Sequence, residues 1–512
     1  MAVTNSGPEY AGDYDLKYIR IHNHAGEGVS PDTHGEDITS LVIEFNLYES
    51  IFNNSVTGSM VIADSANLIG NLPIQGTERI SFRLSSKIST EIPDNVIDCS
   101  ESGGHPMHIF AITDKKQVND NLQTYTIQFA SREFVRNLRL KVSEGFDMRM
   151  DEMVNKILFD PDYLDSKKAL FYQKTRNKDK IVVPNMNPFR AINMIGKRAL
   201  PDSLKGKGAG YLFYETTKGF HFRSWESLCV NKNGGLIDAK ARFGYTQQNV
   251  EGPAGKYDKV IDGYKSVREY RFLETIHDTA ANTALGTYGH RVITHNIYDK
   301  SYREDDYHYH NQWEDTDHIE DWPAVADSAI DYDTLEGTPY NKGISDYPES
   351  RVSLQSTAPF LHNEDAGAFG TPVEDDGVLE GIRIAQKNNI ISGTKLELEV
   401  NGQSWLQAGD VIDFGLQSIE NRDNMATQSK LDPQHSGRYI ITGIRHRVAQ
   451  EKYIQVLTCV KDSVRNGYNY AGKSYTEIAG EPTVEGIYDI DEGTTTDSSS
   501  EAIQSGQWHP GV

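Results

Sequence analysis

The chain has 512 residues, more than one ordinary domain holds, so roughly three or four domains are expected. Its formal net charge of −23 argues against specific DNA or RNA binding, because a nucleic-acid binder carries a basic patch. Cys99, Cys229 and Cys459 are far apart and odd in number, with neither metal-ligand spacing nor a disulfide framework. No apolar run approaches the ~18–20 residues of a membrane span, and the N-terminus lacks the charged and apolar regions of a secretion signal.

In chain order, residues 1–15 read as an N-terminal arm. Residues 16–130 then read as consecutive short strands. Arg79–Leu84 alternates polar and apolar, and Tyr125, Ile127 and Phe129 do the same, the period of half-buried strands. Lys17–His22, Ser40–Ser50, Gly58–Ala63 and Met107–Thr113 are further strand candidates, with Gly, Pro and Asn clusters between them. About six strands in this length suit a small antiparallel β-barrel or sandwich.

Over 131–257 the period becomes helical. Ser131 is placed as an N-cap for Phe134, Val135, Leu138 and Val142. Met150, Met153, Val154, Ile157 and Leu158 form a second stripe, read as core rather than a cofactor box. Asn187-Pro188 resembles an N-cap with proline at the first helical position, followed by Ala191, Ile192, Ile195 and Ala199 on one face. Tyr211–Glu215 and Phe220–Arg223 flank a hairpin turn at 216–219. These features predict a small α+β domain.

Strand character resumes near Val260 and at Arg291–Tyr298, is interrupted by an acidic, irregular insertion at 301–377, and returns at Leu396–Val400, Val411–Phe414, Arg438–His446 and Tyr453–Val460. A second β-barrel built from 258–300 and 378–464 fits this order. Residues 465–512 read as a polar, acidic tail, flexible or folding on a partner. The predicted fold class is therefore mainly β, with two antiparallel barrels, an α+β insert and an irregular insertion.

No metalloprotease, nucleophile-elbow, Walker or C-x-x-C motif is present. Gly206, Gly208 and Gly210 lack dinucleotide spacing and precede a strand, so they read as a turn. Within Asp305–His310, His308 and His310 share one face of an extended strand beside carboxylates, a pattern that binds a divalent metal or simply lines a polar loop. His22 and His24 repeat it more weakly. No catalytic, cofactor or metal residue is assigned, and no pair among the 74 acids stands out for glycoside cleavage.

Three segments together resemble the baseplate central hub of contractile-tail bacteriophages, a family related to the type VI secretion tip protein. The first holds Ile38–Phe45, Glu49–Ile51, Val56–Ile62 and Gly76–Phe82. The second runs from Val183–Ile192 to Gly210–Glu215 and Gly219–Phe222, and the third joins Gly409–Ile412 to Ser436–His446. The resemblance covers roughly residues 16–464 and rests on the order of segments more than on any one of them. The valine-glycine needle repeats of the spike and a lysozyme-like segment are missing.

The resemblance implies a non-enzymatic structural protein without cofactor. It implies a homotrimer whose barrels, two per subunit, make a pseudo-sixfold ring adapting a sixfold tail tube to a threefold central spike. Implied partners are the spike, tail tube or tube-initiator proteins, the tape measure protein and surrounding baseplate wedge proteins, with DNA passing through unbound. Its place is the virion tail, after assembly in the host cytoplasm. A cell-wall-degrading tail enzyme and a receptor-binding tail protein are the alternatives.

Overall fold

The computed structural model describes residues 8–465 apart from 24–35, 72–73, 88–94, 101–102, 104, 177, 203–209, 232–233, 246–255, 274–277, 297–299, 301, 327–330, 336–337, 358–375, 417–430 and 433. His24, most of the glycine turn at 206–210 and the tail beyond 465 lie outside the described residues.

Alternation along the early strands puts every second side chain into one core. In Thr57–Asp64, Gly58, Met60, Ile62 and Asp64 are buried while their neighbours are half-exposed. Phe45, Phe82 and Phe129 meet at the centre, with ring centroids 4.9, 5.7 and 6.2 Å apart. Val42–Ser50, Thr57–Asp64, Leu122–Ala130, Met107–Asn119, Arg79–Ser86 and Tyr14–His22 follow one another as neighbours, all antiparallel.

The expected pair of closed barrels is not what forms. Instead, 14 strands make one open sheet, and no sheet among the described residues closes on itself. The reason is the strand next to Val42–Ser50. Closure would require an edge of the first unit to return to Val42–Ser50 with matching tilt and stagger. That edge is occupied by Gly437–Ala449, in register from Ser50 opposite Gly443 to Glu44 opposite Ala449.

Gly437–Ala449 can serve both units because it changes partner midway. Its first residues pair with Val411–Leu416, its last with Val42–Ser50, while from Ile440 to Ala449 its other edge keeps Lys452–Lys461. At the changeover, between Ile441 and Gly443, the register on Lys452–Lys461 slips. The extra residue, Thr442, donates its hydroxyl to Thr458 O (3.0 Å) and accepts from Ile51 N (3.0 Å). This is a β-bulge, a device that re-aims a strand. The sheet continues through Thr394–Asn401 to Val267–Leu273. Leu396, Leu398, Val400, Phe414, Tyr439 and Leu457 form the second core.

Between the units in sequence stands the helix-and-hairpin segment. The helix Met150–Phe159 buries Met150, Met153, Val154, Ile157 and Leu158, the stripe read from spacing. Pro188 opens the helix Pro188–Gly196, which buries Ala191, Ile192 and Ile195. Tyr211–Thr216 and Gly219–Ser224 form the hairpin. The helix after Ser131 ends at Arg139, and Val142 instead begins the strand Val142–Arg149.

Two further expectations are corrected. Val260 lies in the helix Lys256–Lys265 rather than a strand. The 301–377 stretch is not irregular throughout. Gly289–Asn296 leaves the large sheet and pairs with Tyr302–His308 and Val352–Thr357 in a separate three-stranded sheet. Ile382 and Ala385 of the helix Asp376–Ser392 join Tyr288, Tyr307 and Tyr309 of this region in one cluster. Period-2 patterning was masked here because the strand faces carry Tyr, His and ion-paired Asp rather than aliphatic residues.

Candidate functional site

For a protein with no catalytic motif, the candidate site is the joint where its units lock together. Phe45, Leu47 and Glu49 share the inward face of Val42–Ser50, so strand parity carries a carboxylate into the interior. Glu49 Oε1 accepts from Thr217 N (2.9 Å) in the hairpin turn, and Oε2 from Ala408 N (3.1 Å) in the second unit. One side chain thus joins all three parts of the chain. Burial pushes its carboxyl up to about 7, against the pull of those two amide bonds.

A second lock lies beside it. Lys168 is largely enclosed between Glu215 and Glu133, with Lys168 Nζ to Glu133 Oε2 at 3.2 Å and a closer contact to Glu215. Glu215 accepts from Val56 N (2.9 Å), and Glu133 from Ser166 Oγ (2.7 Å). Burial works against the Lys168 charge, but the two carboxylates outweigh it and hold its pKa above the usual lysine value. Burial likewise opposes the Glu133 carboxylate, yet Lys168 and Ser166 keep its pKa below the ordinary range. At Glu215 burial wins and the pKa is raised.

Gly409 completes the joint. It adopts φ +92° and lies against the Tyr214 hydroxyl, where a Cβ has no room. Elsewhere, Ser404 Oγ accepts from Ser86 N (3.0 Å) and donates to Asn95 O (2.9 Å), binding the second unit to the first. The 313–323 segment is tied down by Asp462, which meets His318 Nδ1 (2.9 Å), and by the Glu320 N to Ser463 Oγ bond (2.8 Å).

The sequence-derived metal candidates are used otherwise. His308 Nδ1 lies 3.0 Å from Ser345 O. His310 meets Ser345 Oγ (2.6 Å) through Nδ1 and Val325 O (2.8 Å) through Nε2. Asp305 pairs with Arg303, and Asp306 takes a two-pronged bond from Arg291 (2.7 and 3.0 Å). His22 is buried against Ser81 Oγ (3.0 Å). Among the described residues no group of three or more His, Cys, Asp or Glu could hold a metal ion, and no helix is long and apolar enough to cross a membrane. Cys99, Cys229 and Cys459 are buried free thiols.

Sequence reasoning missed Glu49, Glu133, Lys168, Glu215 and Gly409. Only Glu49 left a signal, its place on the core-facing parity of a strand.

No protein-family model matches the chain, and no curated protein matches it. Solved structures do. A 43 kDa tail protein of prophage MuSo2 from Shewanella oneidensis is similar over 88% of this chain and 100% of its own, at 9% identity and a TM-score of 0.46. A tail protein from Neisseria meningitidis MC58 is similar over 88% and 97%, at 8% identity and a TM-score of 0.43. A type VI secretion system component from E. coli is similar over 84% and 75%, at 10% identity and a TM-score of 0.36. The likeness is one of fold, and partial.

Proposed function

We propose that the chain is a structural subunit of a contractile-tail baseplate hub. The observation that carries this reading is the edge-to-edge fusion of two strand-rich units through Val42–Ser50 and Gly437–Ala449, locked by buried charges. A single chain thereby presents two sheet units as one rigid pair. Three copies place six such units in a ring, matching a sixfold tube on one side and a threefold spike on the other. The segment resemblance described above supplies the family.

In this reading the open sheet is completed in the assembly. Among the described residues Val267–Leu273 ends the large sheet, and it carries exposed Arg268, Glu269 and Arg271, the two arginines paired with Glu399 and Glu397 of the neighbouring strand, charges that discourage random pairing. Subunit contacts, the spike, tube or tube-initiator proteins, the tape measure and the wedges cover such edges. The net charge of −23 suits a ring through which DNA slides without binding. The site of action is the virion tail, following assembly in the host cytoplasm.

Native mass measurement of the purified chain, alone and with its spike, tests the reading. A trimer in either condition is expected, and image averages of it display three subunits with six sheet units. A monomer under both conditions overturns it.

A further inference from the structure

The large sheet contains one arrangement twice. Val42–Ser50, Thr57–Asp64, Leu122–Ala130 and Met107–Asn119 follow one another across the first unit. Val267–Leu273, Thr394–Asn401, Lys452–Lys461 and Gly437–Ala449 do so, in the same direction, across the second. The two sets match in detail. Met107–Asn119 and Gly437–Ala449 are each 13 residues long, and each returns through a two-residue turn into the next strand. Val42–Ser50 slips on its neighbour between Val42 and Glu44, and Val267–Leu273 does so between Val267 and Glu269. Glu44 therefore corresponds to Glu269. Arg447 corresponds to Lys116, because each faces the third residue of the strand after the turn, Ile454 and Thr124.

The two sets differ at their edges. Gly437–Ala449 meets Val411–Leu416 through its first residues and Val42–Ser50 through its last. Met107–Asn119 meets Arg79–Ser86 only through Met107 and His108, and from Ala111 to Asn119 that edge faces no strand among the described residues. Val267–Leu273, the counterpart of Val42–Ser50, is likewise uncovered on the matching edge among the described residues, apart from a bridge between Gly244 and Ser266 just before it. One half of a seam thus stands at each end of the sheet.

The internal seam shows what the two halves offer each other. There Arg447 Nη2 donates to Glu44 Oε2 (3.2 Å). The corresponding Lys116 and Glu269 keep the same signs, are exposed, and make no ion pair among the described residues. Neighbours are antiparallel all the way from Val267–Leu273 to Met107–Asn119, so the two end strands run in opposite directions. Copies related by rotation about a ring axis therefore bring these edges together antiparallel, as in the internal seam.

We propose that Ala111–Asn119 pairs with Val267–Leu273 of a second copy of this chain, and that Lys116 meets Glu269 of that copy as Arg447 meets Glu44 within the chain. The proposal rests on the hub reading above and names the contact through which its copies join. The contact is heterologous: each copy gives one edge and receives on the other, so repetition closes a ring rather than a pair. Backbone hydrogen bonds hold the edges, and the lysine–glutamate match favours one register over its neighbours.

The Lys116→Cys/Glu269→Cys full chain, treated with a short bis-maleimide alone and with its spike, tests this. Covalent dimers and trimers appear on a denaturing gel, the linked peptides carry positions 116 and 269, and either single variant stays uncoupled because the native cysteines are buried. Without added thiols, Lys116→Glu raises the concentration at which the trimer dissociates by about tenfold, and Lys116→Glu/Glu269→Lys restores it. A trimer that yields no link between 116 and 269, or that is indifferent to charge reversal, overturns the seam and leaves the hub reading standing. A chain that is monomeric in both conditions overturns both.

Discussion

The Glu49 carboxylate stands 3.9 Å from the His446 imidazole, and both side chains are fully buried. They do not form an ion pair of the ordinary kind. Burial pushes the carboxyl up to about 7 and the imidazole down to about 3, so each resists charging. His446 is instead held by Tyr453 Oη (2.7 Å).

This pair predicts a compensated pH profile. From the ordinary carboxylate range up to about 7, folded Glu49 binds a proton that the unfolded chain has lost, so its contribution falls as pH rises. Between about 3 and the ordinary histidine range the unfolded chain binds the His446 proton instead, so that contribution rises with pH. The two slopes oppose each other where they overlap. Glu49→Gln removes the falling one, and its stability relative to wild type improves from pH 5 to 7, by up to about 3 kcal/mol. Urea unfolding across that range reads the change; a constant difference at every pH refutes the assignment.

Lys168 predicts an asymmetric response. Lys168→Met leaves Glu133 and Glu215 buried without a cation and destabilises the chain by about 3–5 kcal/mol. Adding Glu133→Gln and Glu215→Gln to that variant recovers more than half of the loss. If the triple variant is less stable than the single one in urea, the charges are not what the lysine neutralises.

Gly58 predicts a steric conflict. It lies opposite Phe129, and a Cβ there overlaps the phenylalanine ring. Gly58→Ala costs about 1–3 kcal/mol, the range for overpacking. Phe129→Leu in the same chain costs less than the sum of the two single changes. Strict additivity in thermal melts rules the contact out.

Thr442 predicts an effect on the seam. Deleting it removes the bulge at which Gly437–Ala449 changes partner. The pairs from Gly443–Thr458 to Ala449–Lys452 keep their register, but the strand loses the bend that turns it from Val411–Leu416 toward Val42–Ser50. Hydrogen exchange of the amides in Val42–Ser50 accelerates as the seam opens. Unchanged protection shows that the bulge does not set the seam.

How legible the site was in sequence differs by residue. Glu49 follows Phe45 and Leu47 at period two, so its inward direction can be read, but its partners cannot. Ala408 lies 359 residues away, and no local pattern announces it. Lys168 and Glu215 sit in stretches where a buried charge is indistinguishable from a solvated one. His308 and His310 left two readings open in the sequence, a metal or a polar loop. Ser345, distant in sequence, meets His308 Nδ1 and His310 Nδ1, and Val325 O meets His310 Nε2, contacts that no local pattern announces.

What the sequence alone determined is local. Alternation set which faces of Thr57–Asp64 and Thr394–Asn401 are buried, and 3.6-residue spacing set the buried stripe of Met150–Phe159, because both depend only on the geometry of neighbouring residues. The tertiary structure decided which strands became neighbours. Two closed barrels and one open sheet differ in which strand edges meet: here Val42–Ser50 meets Gly437–Ala449, and Gly289–Asn296 joins a separate sheet. Backbone hydrogen bonds join any two edges alike, so that choice rests on the bulge at Thr442 and the buried contacts of Glu49, elements that come together only when distant parts of the chain have packed.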